Sequence, residues 1–141
     1  MSNATELHGP AHVARYLETD GADGYAWRND TTILLLFTRG RKSGEERINA
    51  LIFQPWQDAY LVVASKGGTD APPGWFVNLQ ADPSQVEVQI KGERFKVTPR
   101  VADATEKPAM WKLMCEAWPD YDDYQTKTER EIPIVVLERA R

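Results

Sequence analysis

The densest chemistry-bearing run in the chain is Thr38-Arg39-Gly40-Arg41-Lys42-Ser43-Gly44, followed three residues on by Arg47. Arginine offers a planar fork of donors and lysine a point charge, a combination suited to phosphate and carboxylate. The glycines let backbone N–H groups turn toward a ligand. The chain carries a net charge of -4, so this basic cluster runs against the overall balance. On composition alone, a solvated hairpin with ordinary surface charges is the better reading, since basic turns are common. The order of glycines, lysine and hydroxyl is wrong for a Walker A loop. A second run, Ala64-Ser65-Lys66-Gly67-Gly68, again joins a hydroxyl, a cation and flexible backbone. By itself it reads as an ordinary loop. Two such loops leaving neighbouring strands at one end of a sheet would cradle an elongated anion.

The third signal is aromatic. Trp118, Tyr121 and Tyr124 are spaced by three, with Asp120, Asp122 and Asp123 among them. Trp118 reads as core packing, whereas two phenols in a polar stretch can line a pocket and donate hydrogen bonds. Other constellations are missing. His8 and His12 have the i, i+4 spacing of a helical metal pair, but no third ligand stands beside them, and they fall near an N-terminus expected to be mobile. No Ser-His-Asp or Cys-His set is present. Cys115 shares a helical face with Trp111 and Met114 and reads as core. The acidic cluster lacks the glycine and terminal glutamate of an EF-hand loop. If the chain is an enzyme, a cofactor must carry the chemistry.

The elements that position these residues follow from periodicity. Pro10–Thr19 reads as a helix with Val13, Tyr16 and Leu17 on one face, ended by Gly21. Thr32–Thr38 is a continuous apolar run, the pattern of a strand buried on both faces. Strands are expected over Glu46–Gln54 and Ala59–Ser65, with Pro55-Trp56-Gln57-Asp58 as the turn between them, so the first three strands form an antiparallel meander. A glycine- and proline-rich loop over Lys66–Pro73 leads to a short helix at Gly74–Ala81, stopped by Asp82-Pro83. Val86, Val88 and Ile90 alternate with polar residues, Lys91-Gly92-Glu93 turns the chain, and Phe95, Val97 and Val101 continue the alternation. A helix is expected from Thr105 to Trp118, with Trp111, Met114, Cys115 and Trp118 on its apolar face, and a last strand at Ile132–Glu138. Six strands and about four helices with short connections imply a mainly antiparallel α+β fold, a small barrel with helices outside.

Length and composition set the bounds. A chain of 141 residues, 42% hydrophobic, fits one domain with a core. The acidic balance argues against a nucleic-acid partner. No apolar run approaches the roughly 18 residues of a membrane span, and no signal-peptide core is seen. One cysteine permits no internal disulfide and suits a reducing cytoplasm. The opening Met1-Ser2-Asn3-Ala4 resembles a tag remnant and is set aside.

Taken together, the motifs resemble the deazaflavin-dependent nitroreductase family, the Ddn-like branch of the F420-dependent split-barrel oxidoreductases. The resemblance runs from about Thr32 to Glu138. It is carried by Leu34–Gly44, Val62–Gly68, Trp75-Phe76-Val77-Asn78-Leu79, Asp82-Pro83, Tyr121-Asp122-Asp123-Tyr124-Gln125 and Ile132–Glu138, in order and at matching intervals. It implies a split β-barrel like that of the FMN-binding pyridoxamine phosphate oxidases, in a single domain whose first 30 residues form a helix and a possible lid. It implies the cofactor F420, whose phosphate and oligoglutamate tail make it an elongated polyanion. By resemblance, Arg41, Lys42, Ser43, Gly44, Arg47 and Asn49 hold the phosphate and neighbouring carboxylates. Ser65, Lys66, Gly67 and Gly68 help along the same groove, Trp75 and Asn78 shape it, and Trp118, Tyr121 and Tyr124 stand on the substrate side, with Tyr121 or Tyr124 as proton source. The implied activity is hydride transfer from reduced F420 to a quinone, nitroaromatic or activated alkene, in a monomer or homodimer. An FMN enzyme of the same fold and a non-catalytic F420 carrier are the alternatives. The chain departs from the family at Pro72-Pro73-Gly74, Phe76 and Phe53, where the family often has a histidine and tyrosines. The expectation is that hydroxyls near the pocket are lost.

Overall fold

The computed structural model describes residues 7–140; the opening Met1-Ser2-Asn3-Ala4 lies outside them. Seven strands and four α-helices follow one another as α1 (Gly9–Thr19), β1 (Ala26–Trp27), β2 (Thr31–Arg39), β3 (Glu46–Trp56), β4 (Ala59–Val63), α2 (Gly74–Ala81), β5 (Glu87–Ile90), β6 (Glu93–Val101), α3 (Lys107–Ala117), α4 (Asp120–Thr126) and β7 (Ile134–Arg139). Every pairing is antiparallel. The order β2-β3-β4-β7-β6-β5 closes when β5 pairs back onto β2, giving a six-stranded split barrel. The two-residue β1, not foreseen in the sequence, adds to the start of β2.

Alternation explains why the apolar strands are buried twice over. On β2, Leu34 and Leu36 point into the barrel with Val62, Val88, Val135 and Leu137, while Ile33, Leu35 and Phe37 point outward under α1. On β4 and β7, Leu61, Val63, Ile134 and Val136 face outward to Met110 and Met114 of α3 and Tyr121 of α4. Tyr16 locks α1 down. Its fully buried hydroxyl donates to the Ile33 carbonyl at 3.0 Å and accepts the Lys91 N–H at 2.7 Å. Burial pushes this phenol up to about 12. Gly21 has φ +82, and a Cβ there would stand 2.7 Å from Lys91 Cα, so only glycine fits.

Several expectations change at the element ends. β3 runs through Pro55 and Trp56, and only Gln57 and Asp58 turn, Gln57 at φ 53. Pro55 is tolerated because its missing N–H lies on the side away from β4, beyond Phe53, where β2 has stopped pairing. β4 ends at Val63 rather than Ser65, because Ser65 is αR and Lys66 is left-handed. α3 starts at Lys107 rather than Thr105, since the Asp103 carboxylate accepts the N–H groups of Thr105 and Glu106, each at 2.9 Å, and holds them in the turn before it. Its buried face is Met110, Met114 and Ala117; Trp111, Cys115 and Trp118 are only half-buried, because they face the seam with α4. The polar stretch after Pro119 folds into α4. The N-terminus is anchored as far as His12, which is 2% exposed. No helix among the described residues is long and apolar enough to cross a membrane.

Candidate functional site

Antiparallel hairpins put the β2–β3 turn and the loop after β4 at the same end of the barrel. A cavity of about 480 Å³ opens there. Its floor is the middle of β3, Asn49 to Ile52, with Ile33 and Val63 beside it. One wall is Ser65-Lys66-Gly67 and the start of α2, Pro73-Gly74-Trp75. A second wall is aromatic: Trp118, Tyr121 and Tyr124. His8, Gly9, His12 and Trp27 close the remaining side.

The Ser65 wall is built to receive negative charge. Ser65 is αR (φ -82, ψ -41), followed by left-handed Lys66 (φ 46) and Gly67 (φ 65). This handedness change turns successive N–H groups toward one concavity, a backbone nest. The loop's own bonds run from the Gly68 N–H to the Ser65 carbonyl and from the Thr69 N–H to the Lys66 carbonyl. Among the described residues no acceptor meets the N–H of Ser65, Lys66 or Gly67. Helix α2 starts beside them with no side-chain cap, so the positive end of its dipole adds to the same field. A left-handed non-glycine residue such as Lys66 is strained, and such strain collects at ligand sites.

Arg130 holds this loop in place. Its guanidinium donates to the carbonyls of Thr69 (2.8 Å), Ala64 (3.2 Å) and Ser65 (2.9 Å). Gly68 closes the seam to α4. At φ +86, a Cβ would stand 2.5 Å from the Tyr124 carbonyl oxygen. Gly68 is buried and does not line the cavity, so its place is in the packing that brings the nest to the tyrosines.

The basic turn stands next to the cavity rather than in it. Arg39, Gly40, Arg41 and Gly44 border a separate groove of about 580 Å³ with Ala81, Asp82 and Gln85. Asn78 ties the turn to α2: its Oδ1 accepts the Arg41 backbone N–H at 3.2 Å and the guanidinium at 2.9 Å. Trp75, three residues before Asn78, lines the cavity, so turn and cavity are about one helical turn apart. Arg47, Asn49 and Leu51 share one face of β3 and form a row from the turn to the cavity floor. Ser43 is exposed, its hydroxyl accepting the Glu45 N–H at 3.1 Å. Arg41, Lys42 and Lys66 have no carboxylate partner among the described residues, and Arg47 reaches Glu45 only at 3.8 Å.

The aromatic wall is continuous. Trp27 stacks on Trp118 at 5.5 Å and 25°, Trp118 Nε1 donates to Tyr124 Oη at 3.3 Å, and Tyr121 meets Tyr124 edge to face. Burial, with smaller contributions from Tyr124 and Cys115, pushes the Tyr121 phenol far above its usual range, so it stays an O–H donor. Among the described residues its hydroxyl makes no hydrogen bond. Phe53 and Phe76, expected to remove hydroxyls from the pocket, line the barrel core instead, so the cavity loses nothing by them.

A larger cleft, about 660 Å³, lies at the other end around Trp56, Tyr60, Arg100 and Arg139. Both of its arginines are bonded to carboxylates, Arg100 to Glu106 and Glu138 and Arg139 to Glu93. It offers a ligand little unsatisfied chemistry. The residues that sequence reasoning missed are His12, Trp27 and Arg130. Each is a single residue in an unremarkable context, joined to the site only by folding.

A cavity with an aromatic side, free backbone donors and unpaired cations at its edge fits a planar ring carrying an anionic arm. Comparison with known proteins agrees. The profile of the F420H2-dependent quinone reductase family matches residues 10–139. An F420H2-dependent quinone reductase of Mycobacterium tuberculosis (strain H37Rv) is 38% identical over 131 residues, covering 91% of this chain and 87% of the relative. The structure described as an F420H2-dependent reductase is 40% identical, covers 75% of this chain and 93% of its own, and superposes with a TM-score of 0.68. A second, described as a domain-swapped dimer, is 38% identical over 89% of this chain and 93% of its own, with a TM-score of 0.71. The chain therefore belongs to the F420H2-dependent quinone reductase family, and F420 is its cofactor.

Proposed function

We propose that this protein transfers a hydride from reduced F420 to a quinone. The observation that carries the reading is the set of unused donors: three successive N–H groups at Ser65, Lys66 and Gly67, with Lys66 in the same loop and Arg41 and Lys42 in the neighbouring turn lacking a carboxylate partner among the described residues. Arg41, Lys42, Ser43, Gly44 and Arg47 hold the phosphate and carboxylates of the cofactor's arm. Asn78 fixes Arg41 for that task, and Asn49 leads the arm toward the cavity. The Ser65–Gly67 nest, with Gly68 setting its position, takes an electron-rich edge of the ring system. Trp75 forms the side of the slot.

When bound and reduced, F420 supplies a two-electron hydride donor at its ring carbon C5. The protein's part is positioning and exclusion of water. Trp118 and Tyr124 present flat apolar surface to the acceptor. Tyr121 offers a neutral O–H to an acceptor oxygen that gains negative charge. The segment before β2, through His12 and Trp27, covers the cavity as a lid. Nitroaromatics and activated alkenes of similar size fit the same slot, as in the nitroreductase branch. We further propose that the protein works as a monomer or homodimer in a reducing cytoplasm; the half-buried Cys115 thiol, pushed up to about 11 by burial and Asp122, suits that setting.

The test is a fluorescence titration with oxidised F420, with FMN in parallel, then turnover of reduced F420 with a soluble quinone. Saturable F420 binding without FMN binding, and quinone-dependent oxidation above the uncatalysed rate, is the expected result. Binding without turnover on any acceptor identifies a carrier, and a preference for FMN overturns the cofactor assignment.

A further inference from the structure

His12 is a buried titratable group to which the reaction described above gives no chemical role. It sits in the second turn of α1, 2% exposed, and lines the cavity beside Trp27. Its Nε2 is 2.8 Å from the Gly24 carbonyl oxygen. A carbonyl only accepts, so Nε2 carries a hydrogen in either charge state of the ring. The contact is enforced by Gly24, at φ +108, where a Cβ would stand 3.0 Å from His12 Cδ2. The ring also leans on Trp27, centroids 5.9 Å apart, and Trp27 stacks on Trp118 of the aromatic wall. Nδ1 has no protein partner among the described residues, yet it is not a sealed, unsatisfied atom. Nε2 is taken by the Gly24 carbonyl, and the side chain is one of those that border the cavity.

We propose that His12 is a catalytic residue of the acceptor side, whose Nδ1 hydrogen-bonds a carbonyl oxygen of the quinone and supplies its proton. The proposal rests on the quinone reductase reading. The balance is simple. The quinone gains a hydride from reduced F420 and one proton, becoming the hydroquinone. The proton leaves Nδ1–H of the charged imidazole for the quinone oxygen, and the neutral ring regains one from water. Oxidised F420 gives up the balancing proton to solvent. Histidine suits this work because its charged form donates from both nitrogens and its neutral form keeps one acceptor. With Nε2 held by Gly24, the nitrogen that changes state is Nδ1.

Two measurements test it. The first needs no turnover. The chain has two histidines, so 15N-histidine labelling gives few ring signals, assigned with His12→Gln. Adding menadione to the protein with oxidised F420 bound should move the His12 Nδ1 resonance and leave Nε2 in place. Movement of His8 alone, or of neither ring, overturns the contact. The second is turnover of His12→Gln, whose amide N–H can replace the bond to Gly24 while removing the proton donor. Its F420 affinity should match the parent, and kcat with menadione should fall about 100-fold. Turnover with methylene blue, a cation neutralised by hydride alone, should be unchanged. Equal loss with both acceptors, or none with menadione, overturns the proton role. If the parent protein reduces no quinone at all, the functional reading falls, and the ring-nitrogen titration still decides the contact.

Discussion

The cations at the two ends of the barrel are handled in opposite ways. Around the larger cleft, Arg100 is bound by Glu106 and Glu138, and Arg139 meets Glu93 at 2.6 Å. At the cavity end, Arg41 is held by the neutral amide of Asn78, and among the described residues neither it nor Lys42 or Lys66 meets a carboxylate. Volume alone favours the wrong end, 660 against 480 Å³. Donor satisfaction separates them. A guanidinium already forked onto carboxylates has little left for a ligand, whereas a cation held by a neutral group keeps its charge uncompensated.

The largest break in this contrast is Arg41→Ala with Lys42→Ala. A hydrogen bond to a charged group contributes about 1.5–3 kcal/mol, so losing both should weaken F420 binding by roughly 100-fold or more, read by fluorescence titration. Next comes Gly68→Ala. Its positive φ and the 2.5 Å approach to Tyr124 leave no room for a Cβ. The strain should lower stability by roughly 2 kcal/mol, measured by denaturant unfolding, with F420 affinity reduced because the nest shifts away from α4. Asn78→Ala frees Arg41 without removing a charge. F420 binding should weaken about tenfold, one hydrogen bond's worth. The smallest effect belongs to the far end. Arg100→Ala breaks an exposed ion-pair cluster, so F420 affinity should stay within about twofold of the parent and the melting temperature should hardly move. A large affinity loss there would erase the distinction between the two ends.

Much of the frame was readable in the residues. The double-faced burial of β2 is written in Thr32–Thr38, and α2 occupies the expected Gly74–Ala81. The two donor-rich loops were visible as composition, and Trp75, Trp118, Tyr121 and Tyr124 do meet in one cavity. Other features were hidden for definable reasons. α4 has a polar composition without strong periodicity and is a helix because Tyr121 packs under it against α3 and β7. Phe53 and Phe76 looked like pocket residues by their place in the motifs, but strand alternation and the buried side of α2 send them into the core. His12 looked like part of a loose terminus until the chain returned through Gly24 to hold it.

What the sequence by itself determined is local: periods of two and of 3.6, turn chemistry, and runs rich in charge and glycine. These follow from each residue's own backbone preferences and from its near neighbours. Only the tertiary structure decided which donors remain free. Arg100 and Arg41 are chemically the same side chain, and nothing beside either one in the chain announces its fate. Glu138 and Asn78, 38 and 37 residues away, do so by arriving through barrel closure and helix docking. Pairing is a property of three-dimensional neighbours, and the chemistry of this site consists of the pairings left unmade.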